Sequence, residues 1–194
     1  MNVLFFRTKI FLLLGCILLI TGFIPNVSAL EKSGQSDKGN AVILVNEEFL
    51  PALLKAIEKA QNEIIMSIFS FKTGENKNSY PDRIASHLAK AAKRGVKVLL
   101  VLETSDDESD ELNIQNRKAG RFLEKKGIKV FFDSPRRTTH TKLTVIDQRF
   151  VFLGSHNFTQ SALKYNNEIS VLLDSPDIAD NARNYILKII KEGR

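Results

Sequence analysis

The 194-residue chain has one cysteine, Cys16, and no tryptophan. A single cysteine excludes a disulfide framework and any cysteine-rich zinc site. Proline and glycine are sparse, at 5 and 10 residues, which excludes collagen-like and low-complexity classes. The apolar run Ile10–Ile24 falls short of the about 20 residues a spanning helix usually needs, so a polytopic membrane protein is excluded. Acidic residues are the minority charge, 22 Asp+Glu against 28 Lys+Arg, for a formal net charge of +6. That balance permits an anionic partner without specifying one. What is present is a globular composition, 43% apolar and 26% charged, with 13 phenylalanines supplying most of the aromatic content.

The first residues read as an address. Arg7 and Lys9 precede the apolar run, Pro25 breaks it, and Val27-Ser28-Ala29 presents small residues of the kind a signal peptidase reads. Residues 1–29 are therefore expected to be a secretory signal, with an uncleaved inner-membrane anchor through residues 10–24 as the alternative. The protein is then exported, periplasmic or secreted, or held at the inner membrane. Cys16 lies inside the apolar run and reads as part of it. Cleavage would take two of the 28 basic residues and no acid, leaving 26 against 22, a net +4. It would also leave no cysteine, which suits an oxidising compartment. Residues 30–40 read as a polar linker and residues 41–194 as one domain.

Within that domain, strand and helix signals alternate. Ala41–Val45 is a short apolar strand, and Phe49, Leu50, Leu53, Leu54 and Ile57 recur at helical spacing. Residues 63–71 read as a second strand, 73–80 as a loop, and 81–92 as a helix with Pro81 in its first turn. Val96–Leu102 has the continuous apolar character of a doubly covered parallel strand. A helix over 109–126 and a strand over 128–132 follow. Lys142–Ile146 and Phe150–Leu153 are close enough in sequence to form an antiparallel pair. A short helix near 159–164, a strand over 168–173 and a closing helix over 178–191 complete the pattern. Repeated β-α-β followed by a hairpin predicts an α/β domain with a mixed sheet covered by helices on both faces.

The segment His140–Asn157, HTKLTVIDQRFVFLGSHN, has the form H-x-K-x4-D-x6-G-S-x-N. Six fixed residues at fixed spacing match by chance with odds on the order of 10⁻⁸ per starting position. His140 and Lys142, two apart at the start of a strand, emerge on one face, while Leu143 and Val145 point the other way into the core. Gly154 and Ser155 leave the next strand, and Asn157 precedes a predicted helix start, where backbone N–H groups favour an anion. An imidazole, an ammonium, a hydroxyl and an amide thus converge, a set compatible with one phosphate.

This motif resembles the HKD signature of the phospholipase D superfamily, and the short chain is most similar to the single-motif, Nuc-type endonucleases. Ala91–Leu102 and Asn166–Leu173 extend the resemblance. It implies a phospholipase D-like α/β/α sandwich and a phosphodiesterase that uses neither metal nor cofactor. It further implies that His140 attacks phosphorus to form a phosphohistidine, and that a second histidine protonates the leaving oxygen. Lys142 and Asn157 would hold the non-bridging oxygens with help from Ser155, and Glu168 would orient the catalytic imidazole. Asp147 at the hairpin turn is expected to have a structural, ion-pairing role, and Gly154 is taken as a structural member of the motif.

Larger members carry two such motifs and this sequence carries one; His87 and His156 both lack the H-x-K spacing. A homodimer with the active site across the two-fold axis is the expected solution, His140 of one subunit serving as nucleophile and His140 of the other as acid. The expected substrate is nucleic acid, DNA foremost and RNA second, cut with little sequence preference. The alternative is hydrolysis of a phospholipid headgroup. Weaker substrate-binding candidates are Arg136 and Arg137, which either grip flanking phosphates or form a basic surface loop, and His156, which either lines the groove or fills space. The acidic run Asp106, Asp107, Glu108, Asp110, Glu111 reads as a solvated loop and an acidic helix start rather than a metal site.

Overall fold

The computed structural model describes residues 40–74 and 78–193. The leader, the cleavage site and all of the linker except Asn40 lie outside the described residues. Asn40 itself already belongs to the first strand, one residue before the Ala41 at which the sequence reading began that strand.

Seven strands form one mixed sheet: β1 (Asn40–Val45), β2 (Glu63–Ile68), β3 (Lys97–Leu102), β4 (Lys129–Phe132), β5 (Lys142–Ile146), β6 (Phe150–Gly154) and β7 (Ile169–Asp174), in the spatial order β1-β7-β6-β5-β2-β3-β4. The β2, β3 and β4 strands run parallel, joined by crossover helices α2 (Tyr80–Lys93) and α3 (Glu111–Glu124). The remaining pairings are antiparallel. Helix α1 (Phe49–Lys59) and the single turn α4 (Gln160–Lys164) lie with α2 and α3 on one face, and α5 (Pro176–Glu192) closes the other.

Two apolar cores follow from the period-two alternation of the strands. Leu53, Ile57, Ile84 and Leu88 from the helices meet Ile64, Met66, Leu100 and Ile146 on one face. Ile65, Leu99, Leu143, Val145 and Val151 meet Ala179, Ile186 and Ile190 of α5 on the other. Covered on both sides, β2 is buried at all six positions, including the polar Glu63 and Ser67. The strand predicted over 63–71 stops at Ile68 because the next residues leave the ladder. Phe69 N–H donates to the Thr141 carbonyl at 2.8 Å, and Phe71 makes only an isolated bridge to Phe158. Ser79 caps α2, accepting from the Asp82 N–H at 3.2 Å, with Pro81 in the first turn where its missing donor costs nothing.

Asp147 is structural, but the expected ion pairing is corrected: its partners are backbone N–H groups. Its two carboxylate oxygens accept from Gln61, Asn62 and Glu63 at 2.9, 2.8 and 3.0 Å. Asp147 and Gln148 both have φ of 51°, a left-handed conformation that lets the chain reverse between β5 and β6. The carboxylate thereby clamps the β5–β6 turn to the α1–β2 connection.

Candidate active site

The opposite, open end of the β5–β6 hairpin carries the motif. Lys142 is the first residue of β5, and His140 stands exposed just before it. Their functional groups touch: Lys142 Nζ lies 3.1 Å from His140 Nε2 and 3.3 Å from the His140 carbonyl. An ammonium has only donors, so the ring nitrogen facing it is the unprotonated acceptor, and the imidazole proton sits on Nδ1. Phe69 backs the pair, its ring 4.4 Å from the imidazole and 4.7 Å from Nζ. Leu143 and Val145 enter the α5-side core as the alternation required. Burial lowers the pKa of Lys142 while the charge of Glu168 works to raise it, and burial prevails.

Across the hairpin, Ser155 follows β6 and its hydroxyl donates to Glu168 Oε2; Asn166 Nδ2 donates to the other oxygen at 3.1 Å. The expected bond from Glu168 to the imidazole is thus replaced, among the described residues, by bonds from Ser155 and Asn166. The reason is position: Ser155 and Glu168 flank the β6–β7 pairing, with Ser155 N–H on the Ile169 carbonyl at 3.0 Å. Gly154 is required there, because a Cβ would come within 2.2 Å of Ser170 Oγ and 2.4 Å of the Ile169 carbonyl. Asn157 is half-buried, and its Oδ1 is buried without a hydrogen-bond partner among the described residues. The predicted anion site at a helix start after Asn157 is corrected. The helix is one turn, and Thr159 Oγ1 already accepts from the Ala162 N–H at 3.2 Å.

His156 does not line a groove. It is fully buried, stacked on Phe49 with ring centroids 4.3 Å apart and planes 7° from parallel. Both ring nitrogens are engaged, one with Ser170 Oγ at 2.7 Å and one with the Asn46 carbonyl at 3.0 Å. Burial pushes its pKa down. The substrate-binding assignment is withdrawn; an alternating strand exit turned this side chain inward. His87 is likewise occupied, between the Arg83 carbonyl at 2.8 Å and Glu58 at 2.9 Å. Arg136 and Arg137 are exposed on the loop leading to His140. In the acidic run, Asp110 caps α3 by accepting from the Leu112 N–H at 3.1 Å, and Asp107 accepts from the Ser109 N–H at 2.8 Å.

Several contributors escaped the sequence reading. Asn46, left-handed at φ 50°, accepts the Glu168 N–H on its side chain at 2.8 Å and donates its own N–H to the Glu168 carbonyl at 2.9 Å. Asn116, fully buried on α3, donates to the Phe69 carbonyl at 2.8 Å and the Glu103 carbonyl at 3.0 Å. It fixes the segment that carries Phe69. A non-glycine residue needing a left-handed turn and a polar residue on a buried helix face were the only available signals.

A mixed sheet with an H-x-K pair and a G-S-x-N exit at one end defines a phospholipase D-like domain. The family model described as "Cardiolipin synthase, PLD-like domain" matches residues 53–190, and the chain belongs to this family. Among solved structures, the phospholipase D family member Nuc from Salmonella typhimurium superposes with a TM-score of 0.67 at 26% identity, covering 81% of this chain and 97% of that one. Cardiolipin synthase B of Shigella flexneri is 28% identical over 137 residues, 71% of this chain and 31% of that protein. Phospholipase D of Rickettsia prowazekii is 29% identical over 130 residues, 66% of this chain and 56% of that one. The chain thus spans about a third and just over half of these two curated relatives.

Proposed function

We propose that the protein is a metal-independent phosphodiesterase that cleaves nucleic acid, DNA foremost, through a phosphohistidine on His140, in an active site completed by a second copy of the chain. The observation that carries this reading is the exposed His140 Nε2 beside the Lys142 ammonium at 3.1 Å. The unprotonated nitrogen attacks phosphorus once the Lys142 ammonium turns from it to the non-bridging oxygens, where the cation stabilises the charge that builds. The attacking nitrogen forms a P–N bond as the P–O bond to the leaving group breaks. An acid must protonate that leaving oxygen, and the same group in its basic form then draws a proton from water to hydrolyse the phosphohistidine.

Neither other histidine supports that acid role, since His87 and His156 are held by Glu58 and by Asn46 with Ser170. His140 of a second copy fills it. A dimer is also supported by the sheet face beside the site. Ile43, Val45, Leu153 and Ile169 lie on the α5-facing side of the β1-β7-β6 edge and are 44–63% exposed. Such a contiguous aliphatic patch is characteristic of an interaction surface. Arg136 and Arg137 beside His140, together with the near-complete overlap with Nuc, favour a polyanionic substrate. The basic front and apolar run of the leader support action outside the cytoplasm.

The test is direct. The purified protein is offered plasmid DNA, single-stranded DNA, RNA and phosphatidyl lipid vesicles, with and without EDTA. Nucleolysis that persists in EDTA is expected. Loss of nucleolysis in EDTA contradicts the histidine mechanism, and turnover of lipid alone replaces the nucleic-acid reading with headgroup hydrolysis. Light scattering of the Ile43→Arg variant is expected to show a monomer with little activity; a fully active monomer contradicts the shared site.

A further inference from the structure

Behind the catalytic loop lies a carboxyl pair to which the mechanism gives no part. Glu103 follows β3 and Asp133 follows β4, parallel neighbours whose last paired residues are Leu102 and Phe132. The two carboxyls therefore emerge side by side at the ends of the strands, 6% and 2% exposed. Two buried carboxylates in contact repel strongly unless one keeps its proton. Asp133 Oδ1 accepts from the Thr104 N–H at 2.8 Å, while Oδ2 is buried with no donor among the described residues. A protonated Glu103 is the donor that fits. Its other oxygen, Oε2, accepts the Thr139 N–H, one residue before His140.

We propose that Glu103 and Asp133 act together as a proton-sharing positioning group that anchors Thr139 and so fixes His140 against Lys142. The inference rests on the reading of His140 as nucleophile. Burial and the Asp133 carboxyl push the Glu103 pKa up to about 8, only partly opposed by the Thr139 N–H, and Asp110 at the α3 cap adds to the rise. Cations and other titratable groups face the pair from α3, from the loop before His140 and from α5. Arg117 of α3 donates to Thr104 Oγ1 at 3.0 Å. Arg137 of the catalytic loop shares the small cavity beside Asp133 and Thr139 with Tyr185, Lys188 and Glu192 of α5. The pair keeps its proton in the neutral range and loses it as pH rises through about 8. Two adjacent carboxylates then push the loop from its seat. Glu103→Gln imitates the protonated state, since its amide both accepts from Thr139 and donates to Asp133 Oδ2.

The experiment follows the Thr139 amide by NMR from about pH 6 to about pH 10 in the wild type and in Glu103→Gln. In parallel, hydrolysis of bis(p-nitrophenyl) phosphate is measured for wild type, Glu103→Ala and Glu103→Gln. The wild-type amide is expected to step with a midpoint near 8, and the step to vanish in Glu103→Gln. Glu103→Ala is expected to lower kcat about tenfold or more with KM nearly unchanged, and Glu103→Gln to restore most of it. A wild-type amide without a step, a step that survives in Glu103→Gln, or a folded Glu103→Ala with wild-type kcat overturns the proposal. Should Glu103→Ala fail to fold, Glu103→Gln decides, because loss of kcat there also overturns it. An inert wild type that retains the amide step contradicts the phosphodiesterase reading and leaves the carboxyl pair intact, so the two failures are distinguishable.

Discussion

The two ends of the β5–β6 hairpin are built from similar residues to opposite purposes. At the turn end, Asp147 accepts three backbone N–H groups. At the open end, His140 stands in solvent, Lys142 is partly buried with its pKa lowered, and Asn157 keeps a buried oxygen without a donor among the described residues. Saturated polar groups at one end stabilise the domain. Unsatisfied and exposed ones at the other are a cost to folding that a substrate can offset.

The sharpest break in this comparison is His140→Ala. It is expected to lower kcat by about 10³-fold or more while leaving the melting temperature within about 2 °C, read by plasmid nicking and calorimetry. Asp147→Ala should do the reverse. Three N–H groups lose a charged acceptor, but those of Gln61 and Asn62 are exposed to water, so a loss of about 1–3 kcal/mol by urea unfolding is expected, with kcat largely kept. Gly154→Ala, at the open end beside Ser155, combines the two kinds of effect, because its Cβ meets backbone and side chain inside 2.5 Å. It should cost about 1–3 kcal/mol and also lower activity by displacing Ser155.

The smallest effect concerns pH. Glu63 is buried, which opposes its ionisation, yet Arg183 at 2.5 Å and Lys97 at 2.9 Å outweigh that and hold its pKa below the usual carboxylate value. A depressed carboxylate pKa means stability that is full above the unfolded value, near 4.5, and lost as pH falls through the lower folded value. The acid limb of wild-type stability should therefore be steeper than that of Glu63→Gln in melting curves. Equal limbs would remove this ion cluster from the account.

The comparison also shows what a sequence can carry. His140, Lys142, Gly154 and Ser155 were legible because a strand pair and its alternation place them, and sequence distance within one hairpin is short. The apolar runs likewise predicted a mixed sheet covered on both faces, and the short connection between two of them predicted the hairpin. For His156 the sequence left two alternatives, lining the groove or filling space, and the structure shows the second: it lies on the same buried side as Phe152 and Phe158. Its burial depends on Phe49 and Asn46, over a hundred residues away. The same holds for Glu168, whose partner was set by the β6–β7 register rather than by distance from His140. Glu103 and Asp133 sit 30 residues apart in unremarkable sequence, and only the parallel register of β3 with β4 makes them one group.

The central claim is that His140 carries the phosphoryl group during turnover. Rapid quenching of the protein with ³²P-labelled substrate in EDTA, followed by peptide mapping, tests it most directly. An acid-labile, base-stable label on the His140 peptide, absent from His140→Ala, is the predicted result. Turnover without any protein-bound label, or a label that persists in His140→Ala, would contradict it.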